Sequence, residues 1–205
     1  MTSLLLAAVS VALVHTLIGV DHYLPFVVLG RARRWSLGRV LGITALCGLG
    51  HCIGSILLGF MGIGLGFAVG ELEWVEGVRG SLAAWGLIAF GLVYMSWALW
   101  RGPRAHSHEG HAKTTFWSVF IVFALGPCEP LIPLLMAPAW EHDWWAVAAV
   151  AGLFAGTTVL TMMLAAGIGS MGLRLSIFDG LERYAHALAG GAIATSGLAI
   201  QVLGI

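Results

Sequence analysis

Charge is what this chain has least of. Only 10% of its 205 residues are Asp, Glu, Lys or Arg, against about 25% in a soluble domain. Ten acids balance ten bases, so no excess of either sign is available to recruit nucleic acid or an acidic partner. Cysteine is scarce too. Cys47, Cys52 and Cys128 all fall within apolar runs and no Cys-x-x-Cys exists, which argues against a secreted disulfide framework. No basic region precedes the first apolar run, so that run is expected to be retained as a helix and not removed as a signal peptide. Prolines number only six, and three of them crowd into Pro127, Pro130 and Pro133.

What fills the chain instead is apolar. Hydrophobic residues make up 59% of it, with 29 glycines and a mean hydropathy of +0.93. That composition belongs to an integral membrane protein. Six runs are long enough to span, near 3–20, 40–68, 80–100, 116–139, 145–172 and 184–204. The expected fold is an all-α membrane protein of six transmembrane helices forming one domain over 1–205. Repeat one covers 1–100, a His-bearing loop 101–115, and repeat two 116–205.

Two runs carry breaks. Pro25 lacks a backbone donor and predicts a kink after the first. The stretch Gly126-Pro127-Cys128-Glu129-Pro130-Leu131-Ile132-Pro133 interrupts the fourth. Irregular backbone at membrane depth survives only where protein or a watery cavity covers it. Aligning the two breaks sets Asp21 over Glu129, and the next helix in each half carries a Gly-x-Gly, Gly62-Ile63-Gly64 and Gly167-Ile168-Gly169. Three helices per half make the repeats inverted, with broken helices 1 and 4, a layout found in transporters.

Lysine and arginine fix the orientation. Arg31, Arg33, Arg34 and Arg39 lie between the first two runs, Arg101, Arg104 and Lys113 between the third and fourth, and Arg174 and Arg183 between the last two. Those loops are expected on the cytoplasmic side of the inner (plasma) membrane, with both termini outside. Glu71, Glu73, Glu76 and Arg79 are expected in the loop between the second and third helices. Trp140, Trp144 and Trp145 fit an interfacial belt.

The candidate chemistry starts at His15-Thr16-Leu17-Ile18-Gly19-Val20-Asp21-His22. On a continuous helix His15 and His22 share one face two turns apart, with Asp21 beside them. A charged side chain at the centre of a bilayer helix costs roughly 2.5–3.5 kcal/mol, so such groups serve an ion, a proton or a buried partner. His51 can add an imidazole, Glu129 a carboxylate and Cys128 a thiolate. Mixed nitrogen and oxygen ligation suits divalent nickel, cobalt, zinc and iron. The alternative for the His15–His22 set is mutual pairing that holds helices together; for His51 it is a bond to a neighbouring carbonyl, and for Cys128 simple apolar packing. His106, His108 and His111 form a short loop tract that either collects metal or is merely solvated.

His15 with Asp21-His22, followed by Gly50-His51 in the next helix, resembles the H-x4-D-H signature of nickel/cobalt permeases. The histidine-bearing loop is similar to that of NicO-type exporters. Those belong to the LysE-like superfamily, built from six-helix units of two three-helix repeats. The superfamily also contains the CcdA/DsbD thiol–disulfide carriers, whose Pro-Cys break Gly126–Pro133 resembles. The gap from His15 to Asp21 is five residues where the signature has four, and helix 1 lacks the carriers' cysteine. The resemblance implies metal roles for His15, Asp21, His22 and His51.

The expected function is transport of a divalent transition metal, nickel or cobalt foremost, with zinc or iron as further candidates. No permanent cofactor and no enzymatic activity are expected. The partners are the metal and the lipid bilayer, and a homo-oligomer is compatible. The histidine loop on the cytoplasmic side favours export. The alternatives are a CcdA-like electron carrier, which needs Cys128 paired with Cys47 or Cys52, and a metal-free anion transporter.

Overall fold

The computed structural model describes residues 1–66, 69–101, 110–126, 128, 130–175 and 184–203. Every regular element among them is helical. In chain order these are α1 (Thr2–Ile18), a 3₁₀ turn (Val20–His22), α2 (Leu24–Ala32), α3 (Leu37–Leu65) and α4 (Val69–Arg101). Then follow α5 (Gly110–Leu125), α6 (Leu131–Trp140), α7 (Trp144–Leu175) and α8 (Ala185–Leu203). Four of them contain stretches long and apolar enough to cross a membrane: Leu37–Leu65, Gly70–Trp100, Trp144–Gly172 and Ala185–Val202. α1 and α6 are apolar but shorter.

Local chemistry accounts for the boundaries. Ser36 caps α3, its hydroxyl accepting from the Arg39 amide at 3.3 Å. Gly66 ends the same helix in the left-handed region at φ 72°, which glycine adopts without steric cost. The first break falls earlier than Pro25 suggests. The chain leaves the α-helix at Gly19, and Pro25 sits in the first turn of α2, where a missing N–H costs nothing. Pro133 likewise lies in the first turn of α6, so the second break ends at Pro130 and the helix runs on through Pro133.

The loop expected between helices 2 and 3 is shorter than its charges suggested. α4 begins at Val69 and carries Glu71, Glu73, Glu76 and Arg79 as helical residues. Glu76 is fully buried. A hydropathy reading assigns charges to loops because each is costly alone; here Glu76 and Arg79 neutralise one another.

Packing is closest where side chains vanish. α4 and α8 meet backbone to backbone: a carbon added to Gly190 would lie 2.6 Å from the Met95 nitrogen and 2.7 Å from the Gly91 carbonyl oxygen. Small residues of this kind let membrane helices approach closely. The outer face is apolar, with Leu82, Val93, Leu160 and Ile168 all exposed, as befits helices turned towards lipid. Trp140, Trp144 and Trp145 are exposed beside the α6–α7 turn.

Candidate metal centre

The first break builds the site. On a continuous helix the seven residues from His15 to His22 would separate the two rings by about 10 Å along the axis. The 3₁₀ turn folds His22 back, and the ring centroids come to 4.9 Å, nearly perpendicular at 79°. Gly19 is what permits this. A carbon added there would lie 2.7 Å from Cε1 of His22 and closer still to its Nδ1. The backbone groups freed by the break find partners locally. Gly19 N–H donates to the His15 carbonyl at 3.0 Å, and His22 N–H to the Gly19 carbonyl at 3.0 Å. The Tyr23 hydroxyl donates to the Leu17 carbonyl at 3.3 Å.

α3 supplies the third imidazole. His51 lies against His22 with centroids 5.1 Å apart and rings at 87°. One ligand nitrogen from each of His15, His22 and His51 lies within 4.8 Å of the others. The Nε2 atoms of all three are buried and have no hydrogen-bond partner. A buried, unsatisfied imidazole nitrogen is costly, and three together mark a place where something else completes them.

The opposite ring edges of His22 and His51 are already engaged. Nδ1 of His22 faces the Gly19 carbonyl at 3.0 Å and Asp21 Oδ1 at 3.3 Å. Nδ1 of His51 faces the Phe123 carbonyl at 3.3 Å. Both partners only accept, so both Nδ1 atoms donate, and the Nε2 lone pairs are left for a Lewis acid. Metal-binding histidines are held this way by outer carboxylates and carbonyls. Asp21 therefore stands behind His22 and outside the three-nitrogen group, its side chain 21% exposed.

Phe123 lies in the last turn of α5 and Gly126 just beyond it, so the second break also borders His51. A carbon added at Gly126 would lie 3.0 Å from His51 Nδ1. One turn along α3 is Ser55, at the heart of a charged network that the sequence did not reveal. The Ser55 hydroxyl donates to Glu76 Oε2 at 3.2 Å. The Cys128 amide donates to Ser55 Oγ at 3.0 Å and to Glu76 Oε2 at 3.1 Å. Arg79 pairs with Glu76 Oε1 and donates to the carbonyls of Ala124 at 3.2 Å and Gly126 at 3.3 Å. The cation thus meets the carbonyl end of α5 and the anion meets the amide that leads into α6, both in the sense the helix dipoles favour. The one signal available in sequence was the i, i+3 spacing of Glu76 and Arg79 next to an apolar run.

The remaining candidates divide. Cys128 is fully buried and away from the imidazoles. It shares a buried cluster with Cys52, and all three cysteines are free. Glu129, His106 and His108 lie outside the described residues, and His111 belongs to the first turn of α5. No family model, curated protein or solved structure matches this chain.

Proposed function

We propose that the chain is a membrane transporter of a divalent transition-metal ion, nickel or cobalt foremost, with His15, His22 and His51 as its intramembrane binding centre. The observation that carries this is the convergence of three imidazoles, one nitrogen of each within 4.8 Å of the others, whose Nε2 atoms are buried and unpartnered, with the Nδ1 atoms of His22 and His51 already engaged elsewhere. Bonds of about 2.0–2.1 Å to imidazole nitrogen require the three ligand atoms to draw in by roughly an ångström from their present spread. Side-chain rotation supplies that. Imidazole suits nickel, cobalt, zinc and iron, and a fourth position stays open for water or for release. Asp21 offsets part of the charge through His22.

The inverted repeat is part of the same proposal. α1 and α2 have 17 and 9 residues, α5 and α6 have 16 and 10, so each broken pair is long enough to span as one unit. Both breaks start at a glycine and are equally long. Packing supports the pairing: α1 on α7 is matched by α5 on α3, and α2 on α8 by α6 on α4. α2 on α7 is matched by α6 on α3, while α3–α7 and α4–α8 are their own counterparts. This yields six spans in two halves that can rock against each other around a central site. The helix ends align Gly19 with Gly126, one residue off the sequence alignment, so Glu129 falls opposite His22 in place of Asp21. Membership of the LysE-like superfamily, cytoplasmic loops bearing the arginines, and capture of metal by His106, His108 and His111 before export complete the proposal.

A second reading has one observation in its favour. Cys52 and Cys128 lie in the same buried cluster, and a thiol pair within the membrane is what an electron carrier requires. The two readings part on one experiment. Reconstituted in vesicles, the wild type moves Ni2+ or Co2+ and His51→Ala does not, while Cys128→Ser still does. Flux in His51→Ala equal to wild type rejects the metal centre. Absence of metal flux together with a Cys52–Cys128 disulfide that cycles with reductant favours the carrier.

A further inference from the structure

The turn between α2 and α3 places an arginine where the backbone suits glycine. Trp35 N–H donates to the Gly30 carbonyl at 2.9 Å and Arg34 N–H to the Arg31 carbonyl at 3.1 Å. This paired bonding ends a helix through a left-handed residue, a position glycine usually fills. Here it is Arg34, at φ 52°. The backbone gains nothing from a side chain there. Arg34 nonetheless lines a cavity of about 210 Å³ together with Arg31, Trp35 and Ser170, room for far more than one water. Ser170 of α7 is 8% exposed, and its buried Oγ has no hydrogen-bond partner among the described residues. A buried hydroxyl left unpartnered is costly, so this one suits a ligand that accepts its proton. The two guanidiniums on the same cavity donate only. Two cations and a hydroxyl donor around one space call for an oxyanion, and guanidinium forks match phosphate oxygens. The other two arginines of the segment are placed elsewhere: Arg33 donates to the Tyr94 hydroxyl at 3.4 Å, and Arg39 lies 5.1 Å from the centre of the Trp35 ring.

Depth points to the source of the phosphate. The apolar stretch of α3 starts at Leu37 and that of α7 ends at Gly172, so Trp35 and Ser170 flank the level at which both spans end. Lipid phosphates lie at that level, and basic pockets between membrane helices take lipid headgroups there. Tryptophan is favoured at the same depth. Val27 and Val40 complete an apolar wall beneath the arginines. We infer that the cavity between α2, α3 and α7 is a phosphate site that holds the headgroup of an anionic phospholipid. Arg31 and Arg34 pair with the phosphate oxygens, and the Ser170 hydroxyl donates to one of them. The site is separate from the three imidazoles and does not depend on metal transport.

The test is native mass spectrometry of the purified full-length protein titrated with phosphatidylglycerol, with phosphatidylcholine as the neutral comparison. The wild type should retain phosphatidylglycerol in preference to phosphatidylcholine. Arg34→Gly should weaken that retention about fivefold while the thermal transition holds or rises, because glycine suits the left-handed position. Ser170→Ala should weaken it about tenfold. Arg39→Gln removes one charge from the same segment but outside the cavity, and it should bind as the wild type does. The inference is overturned if Arg34→Gly and Ser170→Ala both retain phosphatidylglycerol as the wild type does, or if Arg39→Gln loses as much as Arg34→Gly, which would make the effect one of general surface charge. A lowered transition in Arg34→Gly with lipid retention unchanged would show that the arginine serves only the carbonyl end of α2. Displacement of the lipid by an equal concentration of inorganic phosphate would overturn the headgroup assignment in favour of a free anion.

Discussion

Replacing Gly19 by alanine should disable the histidine centre without touching a ligand. The added carbon would lie 2.7 Å from Cε1 of His22 and 3.1 Å from Asp21 Oδ1. Ordinary contact begins at about 3.4 Å, so the ring must retreat by at least ~0.7 Å, while a metal site tolerates about 0.2 Å in its bond lengths. His22 is then lost as a ligand or held off its optimum. Disturbing the support of a ligand typically weakens metal binding about 10–100-fold, which corresponds to about 1.4–2.8 kcal/mol. The backbone is no obstacle, since Gly19 has φ −72° and ψ 87°, angles open to alanine. The loss should therefore appear in affinity and much less in folding. Calorimetric or Co2+ absorbance titration of wild type and Gly19→Ala in detergent reads it. Gly38→Ala is the control, because nothing lies within 4 Å of a carbon added there. Equal affinity in Gly19→Ala and wild type would refute the claim that the break aims His22 at the metal.

Four further outcomes follow from the same contacts. Asp21→Asn keeps an acceptor for His22 Nδ1–H but removes the charge, so Co2+ affinity should fall by roughly tenfold and not vanish; complete loss would make Asp21 a direct ligand. Glu76→Gln leaves Arg79 without its anion in a buried setting and should destabilise by about 3–5 kcal/mol, seen as a lowered thermal transition that Glu76→Gln with Arg79→Met largely restores. An unchanged transition in the single variant would remove the network from the structural account. Metal affinity should decline at acid pH, because a protonated ring has no lone pair to offer; an affinity that rises towards acid pH would contradict imidazole ligation. Replacing His106, His108 and His111 together by alanine should raise the metal concentration for half-maximal flux and leave the maximal rate unchanged, and loss of flux at saturating metal would put the loop on the pathway itself.

Much of this architecture is written in the sequence at the level of composition and punctuation. Charge scarcity marks a membrane protein, the stretch Gly126–Pro133 marks the second break, and Pro25 announces the first but lies beyond it, in the first turn of α2. The types and spacing of His15, His22 and His51 mark them as candidates for a common site. What spacing alone misses is the direction of the fold-back at Gly19. A helical wheel sets His15 and His22 two turns apart, whereas the 3₁₀ turn brings them to 4.9 Å and turns Asp21 behind His22. Glu76 and Arg79 were invisible for a different reason. A hydropathy window prices each charge singly, and their mutual neutralisation with Ser55, Ala124, Gly126 and Cys128 exists only once α4 packs beside α3 and the second break. That Cys52 of α3 and Cys128 of the second break share one buried cluster is a long-range meeting that no local pattern encodes.

The central claim is that three imidazoles at the first break hold the transported ion, and the location of a bound metal tests it most directly. Crystals of the protein soaked with nickel or cobalt, measured at the absorption edge of that metal, should give an anomalous peak among the Nε2 atoms of His15, His22 and His51, absent from His51→Ala. Metal density confined to the loop or the surface, with nothing between those three rings, would contradict it.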